Sequence, residues 1–302
     1  MTDARKIGIY GAPPPDVVDV PAEAIQFSPL MPGAASLEDA AEQSLDAIVI
    51  LAPPGTLERR YTLALALRAL KAGGLLTALA PKDRGGARLR KELTKFGCDV
   101  NEEARSHHRI VTCARPADPT IAGAIEDGKP RIAGDLGLWS QPGVFSFDRL
   151  DAGTAMLIEH LPVLSGCGAD FGCGIGILAH AVLASPQVTE ITLIDIDRRA
   201  IACAEHNVVD PRARFLWADV RKAQLADLDF VVMNAPFHDA GAEDRKLAQS
   251  FVQRAAAVLH KGGVLWLVAN RHLPYEGILT PAFKRAELII ETDGYKIYEA
   301  HK

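Results

Sequence analysis

The 302-residue chain is poor in cysteine, lacks an apolar run long enough to cross a bilayer, and has no excess of positive charge. Its five cysteines, Cys98, Cys113, Cys167, Cys173 and Cys203, are odd in number and form no Cys-x-x-Cys pair. That pattern argues against a disulfide framework and a structural zinc site. The longest apolar stretches, such as Gly263 to Ala269, are strand-sized, well short of the roughly 18 residues of a membrane span. The opening Met1-Thr-Asp-Ala-Arg-Lys-Ile has no apolar signal core. The expectation is a cytoplasmic protein without membrane or metal partners. Glycine and proline number 25 and 19 with no three-residue period, which excludes collagen-like sequence. A hydrophobic share of 48% excludes wholesale disorder. The net charge of −5 speaks against coating nucleic acid over the whole surface but leaves room for a local patch.

What is present is periodic. At about 150 residues per domain, the length predicts two domains. The stretch 116–130 carries two early prolines and a closing Gly-Lys-Pro, which predicts a linker and domains of 1–125 and 126–302. The second half alternates apolar runs (166–170, 191–195, 214–217, 228–233, 264–269) with helical patterns (175–184, 198–207, 244–259). Strands alternating with helices of that length predict an α/β fold with a mainly parallel sheet. The first half echoes it. Asp46-Ala-Ile-Val-Ile-Leu-Ala-Pro-Pro aligns with Asp229-Phe-Val-Val-Met-Asn-Ala-Pro-Phe, and Lys71-Ala-Gly-Gly-Leu-Leu with Lys261-Gly-Gly-Val-Leu-Trp. A duplicated unit is expected. The first copy has Leu51 in place of Asn234, Pro54 in place of Phe237 and no glycine turn.

That turn is Asp170-Phe-Gly172-Cys-Gly174-Ile-Gly176, placed between a strand and a helix. Glycines there let the backbone approach a ligand without Cβ clashes. Gly174-x-Gly176-x-x-Ala179 satisfies a dinucleotide pattern. Asp170, Gly172, Gly174 and Gly176 satisfy the pattern for S-adenosyl-L-methionine. Asp195, 19 residues past Gly176, can accept from both hydroxyls of a ribose in either case. Asp197 suits the cap of the next helix. Asp219 ends the following strand, where it can meet an adenine amine or simply serve a turn.

Asn234-Ala235-Pro236-Phe237 separates the two cofactors. The lone pair of an exocyclic or amide nitrogen is delocalised, so the nitrogen is a weak nucleophile. The Asn234 side-chain oxygen and the Ala235 carbonyl can each accept one of its N–H groups and aim the lone pair at a methyl donor. Pro236 stiffens the turn, and Phe237 offers a ring for a base, worth roughly 1–3 kcal/mol in stacking.

These residues resemble class I S-adenosylmethionine-dependent N-methyltransferases. The wider match is to the ribosomal RNA small subunit methyltransferase C family. It rests on Pro142-Gly-Val-Phe-Ser, Leu150-Asp-Ala-Gly-Thr154, Asn234-Ala-Pro-Phe-His-Asp and Val268-Ala-Asn-Arg-His-Leu-Pro-Tyr275. The resemblance implies two tandem Rossmann-like methyltransferase domains. The N-terminal one would be degenerate with an RNA-handling role, and the C-terminal one catalytic. It implies that Asp170, Gly172, Gly174, Gly176, Asp195, Asp219, Asn234 and Thr154 line the cofactor. Asn234 to Phe237 would hold the target amine, and Phe145 and Thr154 would border the pocket. It implies methylation of the exocyclic N2 of a guanine in 16S rRNA, with ribosomal RNA or the small subunit as partner. The family usually has proline at position 235, where this chain has alanine.

Other acceptors compatible with the Asn-x-Pro-Phe core are adenine N6 and a protein glutamine. A non-catalytic RNA-binding assembly factor is the rival from another class, and an NAD-dependent oxidoreductase lacks a hydride-site acid or base. Cys173 is expected as a packing residue, and His238 and Asp239 as solvated loop residues. Between Lys82 and Arg115 there are nine basic and five acidic residues. Arg88, Arg90 and Lys91 are the expected RNA phosphate contacts within that stretch.

Overall fold

The computed structural model describes residues 5–235 and 242–302. The chain forms two compact units. One comprises Met1–Pro130 with Gln141–Gly143, the other Arg131–Ser140 with Val144–Lys302.

The first unit runs β1 (Ile7–Tyr10), β2 (Ile25–Phe27), β3 (Leu45–Leu51), α1 (Thr56–Ala69), β4 (Leu70–Pro81), α2 (Leu89–Lys95), β5 (Asn101–Arg105), β6 (His108–Ala114) and α3 (Ala122–Gly128). Its sheet order is β2-β1-β3-β4-β6-β5. Strands β2, β1, β3 and β4 are parallel, and β6 is antiparallel to both β4 and β5. The core packs Leu63, Leu67 and Tyr61 of α1 against Ile48, Ile50 and Leu76 of the central strands.

The second unit opens with the hairpin β7 (Arg131–Ala133) and β8 (Leu138–Ser140), then α4 (Ala152–His160). The α/β alternation follows: β9 (Gly166–Phe171), α5 (Ile177–Leu183), β10 (Val188–Asp195), α6 (Arg198–Asn207), β11 (Ala213–Trp217), β12 (Leu228–Asn234), α7 (Ala242–Val258), β13 (Leu259–Asn270), α8 (Glu276–Ala282), β14 (Arg285–Thr292) and β15 (Tyr295–His301). The sheet order is β11-β10-β9-β12-β13-β15-β14. The first five strands are parallel, and β15 is antiparallel to its neighbours. The order reverses at β9, which lies between β10 and β12. In such sheets the crevice at the carboxyl ends of the two flanking strands is where ligands bind.

The duplication expected from sequence extends to register. β3 pairs with β4 through Leu45 opposite Leu70, then slips so that Ala47 faces Leu75. β12 pairs with β13 through Leu228 opposite Leu259, then slips identically so that Phe230 faces Val264. The aspartate beside each slip ties down the neighbouring strand. Asp46 accepts from the Lys6 N–H and Lys71 Nζ, both at 2.7 Å. Asp229 accepts from the Cys167 N–H at 2.8 Å and lies 2.9 Å from His260 Nε2. Among the described residues the first sheet has no counterpart of β11.

Two expectations need correction. The stretch 116–130 is not all linker, because it contains α3. The glycine read as a turn signal, Gly128, sits at the end of α3 against α1, where a Cβ would come within 2.3 Å of the Tyr61 ring. A helix-packing glycine and a turn glycine look alike in sequence. Strand β13 also begins earlier than the apolar run, at Leu259, because Gly263 lets the chain pass the Leu228 carbonyl, where a Cβ would stand 2.9 Å away. Among the described residues no helix is long and apolar enough to cross a membrane.

Candidate active site

The carboxyl ends of β9, β10 and β12 converge beside the reversal point, each delivering one polar residue. The glycine turn leaves β9 after Phe171 and is fastened to β10 by the Gly172 and Cys173 N–H groups, which donate to the Ile194 carbonyl at 2.8 and 3.0 Å. Gly176, at φ +90°, starts α5. A Cβ there would stand 2.7 Å from Val208, so the glycine seats α5 close to the end of α6. Gly174, at φ +53°, has open space within 4 Å of where its Cβ would be. Its side therefore faces room for a ligand and not protein. Cys173 is buried, and burial raises its thiol pKa well above normal, so it packs and does not attack.

Asp170 is fully buried, and neither carboxylate oxygen has a hydrogen-bond partner. Burial, with a smaller push from Asp195, raises its pKa from 3.8 to about 8. Two unfilled acceptors in a buried strand end call for donors from outside the fold. Asp195, at the end of β10, accepts from the Gly174 N–H (Oδ2, 2.9 Å) and the Asp197 N–H (Oδ1, 2.9 Å). Burial raises it to about 6 against the opposing effect of those backbone donors. The two bonds fix the carboxylate's plane at the mouth of the turn. Asp197 caps α6 by accepting from the Arg199 N–H at 2.9 Å. Ile196 is exposed next to Asp195, and its carbonyl accepts from Trp217 Nε1 at 2.8 Å.

Asp219 is placed differently from the other acids. Arg221 donates to both of its oxygens, with Nε at 2.8 Å from Oδ1 and Nη2 at 2.6 Å from Oδ2. That pairing holds its carboxyl below the ordinary range. The structure thus uses Asp219 in a strand-end turn.

Asn234 ends β12. Its Nδ2 donates to Asp151 Oδ2 at 2.8 Å and to Thr154 Oγ1 at 2.9 Å. Asp151 is the N-cap of α4 and also accepts from the Thr154 N–H at 2.8 Å. Both amide hydrogens are therefore committed, and Oδ1 points away from the two acceptors. Thr154 was expected in the site, and the structure brings it onto Asn234. Asp151 was not, though an aspartate at a helix start is a capping signal. Ala235 is buried, with its N–H donating to the Val268 carbonyl at 3.0 Å. Pro236, Phe237, His238 and Asp239 lie outside the described residues. Phe145 is 60% exposed on the loop ahead of α4.

The first unit handles the equivalent positions in another way. Its first strand runs into Gly11-Ala-Pro-Pro-Pro15. At the loop after β3, the fully buried Arg59 donates to the carbonyls of Pro53 (3.3 Å) and Pro54 (2.7 Å) and pairs with Glu92 at 2.8 Å. These bonds tie the loop after β3 to α1, and the ion pair ties α1 to α2. Arg88, Arg90 and Lys91 belong to this unit and are exposed. Arg88 Nη1 donates to Thr56 Oγ1 at 3.1 Å, and Arg90 lies 3.9 Å from Glu102. Arg115 is spent on the Leu67 carbonyl at 2.7 Å. Among the described residues no group of three or more His, Cys, Asp or Glu side chains is placed to hold a metal ion.

The chain resembles known proteins over most of its length. The profile of the methyltransferase small domain matches residues 135–299. The ribosomal RNA small subunit methyltransferase C of Shewanella loihica is 32% identical over 267 residues, covering 86% of this chain and 78% of that protein. The protein of the same name from Pseudomonas entomophila is 32% identical, covering 86% of this chain and 80% of the relative. A solved T. thermophilus 16S rRNA N2 methyltransferase, in complex with AdoMet and guanosine, superposes with a TM-score of 0.75. It is 27% identical and covers 89% of this chain and 76% of that one. With the glycine turn, the strand-end acids and the oriented Asn234 in place, the chain belongs to the ribosomal RNA small subunit methyltransferase C family, its second unit carrying the methyltransferase small domain.

Proposed function

We propose that the protein methylates the exocyclic N2 amine of a guanine in 16S rRNA, using S-adenosylmethionine. The observation that carries the chemistry is the pinned amide of Asn234, whose Oδ1 is presented as an acceptor for an N–H donor. The choice of guanine and of 16S rRNA comes from the T. thermophilus enzyme and from the named relatives.

The residues fit the cofactor. S-adenosylmethionine brings N–H and O–H donors, and the site meets them with the donor-starved carboxyl of Asp170 and the oriented carboxyl of Asp195. Gly174 supplies the cradle that a side chain would fill. In this reading Asp170, Gly172, Gly174, Gly176 and Asp195 hold the cofactor, with Asp195 taking the ribose hydroxyls. Asp219 lends the wall its turn rather than a free carboxylate.

When bound, S-adenosylmethionine supplies a methyl group on a positively charged sulfur. What remains for the protein is positioning. Asn234 Oδ1 and the Ala235 carbonyl each accept one N–H of the target amine, which localises the nitrogen lone pair and orients it. Phe237 stacks the base, and the departing proton passes to water. No strong base is required. The first unit, its loop closed by Arg59, contributes RNA affinity through Arg88, Arg90 and Lys91. The reaction belongs in the cytoplasm, where small subunits mature.

The test is methyl transfer from labelled S-adenosylmethionine to small subunits lacking the modification, read by nucleoside mass spectrometry. N2-methylguanosine is expected, falling by about 10²-fold or more in Asn234→Ala with cofactor binding retained. Cofactor binding without transfer would redirect the search to adenine and glutamine acceptors. Absence of cofactor binding would favour an assembly factor.

A further inference from the structure

We infer that Asp151 is a positioning residue, whose carboxylate fixes the direction in which Asn234 presents its amide oxygen. The inference rests on the methyl-transfer reading of the site, and its geometry stands apart from that reading.

A helix cap needs only one acceptor for one backbone N–H, and Asp151 Oδ2 supplies that to Thr154 at 2.8 Å. The same oxygen also takes the Thr154 hydroxyl at 3.2 Å and Asn234 Nδ2 at 2.8 Å. The Asn234 bond spans 83 residues of sequence and has no part in capping. Because the Thr154 hydroxyl gives its hydrogen to Asp151, its lone pair is free to accept the second amide hydrogen of Asn234, at 2.9 Å. An amide held at both hydrogens cannot rotate without losing both bonds. A flipped amide would also press its oxygen against the Asp151 carboxylate, two acceptors with no hydrogen between them. The site therefore presents an acceptor to its substrate, not a donor, and selects an amine over a group that only accepts. Asp151 touches neither of the amine's hydrogens in this arrangement; it acts through Asn234.

Capping and positioning can be separated by substitution. Serine is a good N-cap but too short to reach Asn234. Asparagine keeps an oxygen where Oδ2 stands. We expect Asp151→Ser to retain the thermal midpoint and the S-adenosylmethionine Kd while kcat falls by up to about 10²-fold, the cost of an Å-scale misplacement. Asp151→Asn should lose distinctly less. A second readout needs no turnover. The Asn234 side-chain amide, identified in ¹⁵N spectra by its loss in Asn234→Ala, should exchange slowly in the unsubstituted protein and in Asp151→Asn, and quickly in Asp151→Ser. Three results would overturn the proposal: unchanged kcat in Asp151→Ser, a loss that merely follows a weaker cofactor Kd, or unchanged amide exchange. If the unsubstituted protein methylates no acceptor, the proposed function fails, and the exchange measurement still decides the role of Asp151.

Discussion

At the scale of single residues, the most informative group is Asp170. Its pKa of about 8, against 3.8 for an ordinary aspartate, means the folded protein keeps a proton that the unfolded chain releases. Stability from the neutral buried acid is therefore complete at low pH and is lost as pH rises toward about 8. Asp195, raised to about 6, adds a contribution of the same sign over a narrower window. Asp170→Asn removes one ionisation and leaves the other. Its thermal midpoint should decline less between mildly acidic and mildly alkaline pH than that of the unsubstituted protein, measured without cofactor by calorimetry. Parallel curves would mean that Asp170 is not a neutral buried acid. The placing of Asp170, Asp195 and Asn234 at strand ends was legible from the apolar runs that precede them. The orphaned state of Asp170 was not, since it depends on neighbours distant in sequence. Asp219 makes the same point in reverse. A strand-end acid with the right spacing is held by Arg221, two positions away.

At the scale of elements, the helices and strands of the second unit follow the apolar periodicity closely, with α6 spanning Arg198–Asn207 as the pattern predicts. Elements went astray where glycine has two meanings. Gly128 in α3 is there for close packing on Tyr61, a buried residue of α1. Gly128→Ala should lower the unfolding free energy by about 1–3 kcal/mol through overpacking. Urea denaturation of the full chain would measure it, with S-adenosylmethionine affinity as a control for the second unit. No loss of stability would show that α3 can shift away from α1. The slip shared by β3–β4 and β12–β13 is an element-scale feature that the sequence echo predicted only in outline. The matched residues were visible. The register offset they impose was not.

At the scale of the whole molecule, two units of like sheet order differ in the residues at their strand ends. The second copy keeps its glycine turn and its amide. The first has Leu51 at the amide position, three consecutive prolines near the turn, and Arg59 bound to the loop carbonyls. What the first copy offers is exposed basic charge. Replacing Arg88, Arg90 and Lys91 together by Glu should weaken RNA binding. It should also flatten the plot of log affinity against log salt by about 0.7 for each single-strand phosphate that is no longer neutralised. Filter binding over a salt series measures both, and an unchanged slope would remove these residues from the RNA surface. Methyl transfer in the variant should show a raised KM for RNA with kcat preserved, because the residues lie outside the catalytic unit.

The sequence by itself determined the α/β class, the duplication, and the placing of the glycine turn and of Asn234 at strand ends. Those follow from local periodicity and from motifs whose members lie within one strand-turn-helix or at a strand end. Tertiary structure alone decided which acceptors remain open. Asp170 is left without donors, and Asn234 is turned by Asp151 and Thr154. A hydrogen bond is a statement about direction and distance between groups that can lie 83 residues apart, as Asp151 and Asn234 do. Only folding brings such groups within reach, and only then can an amide oxygen be aimed at a substrate.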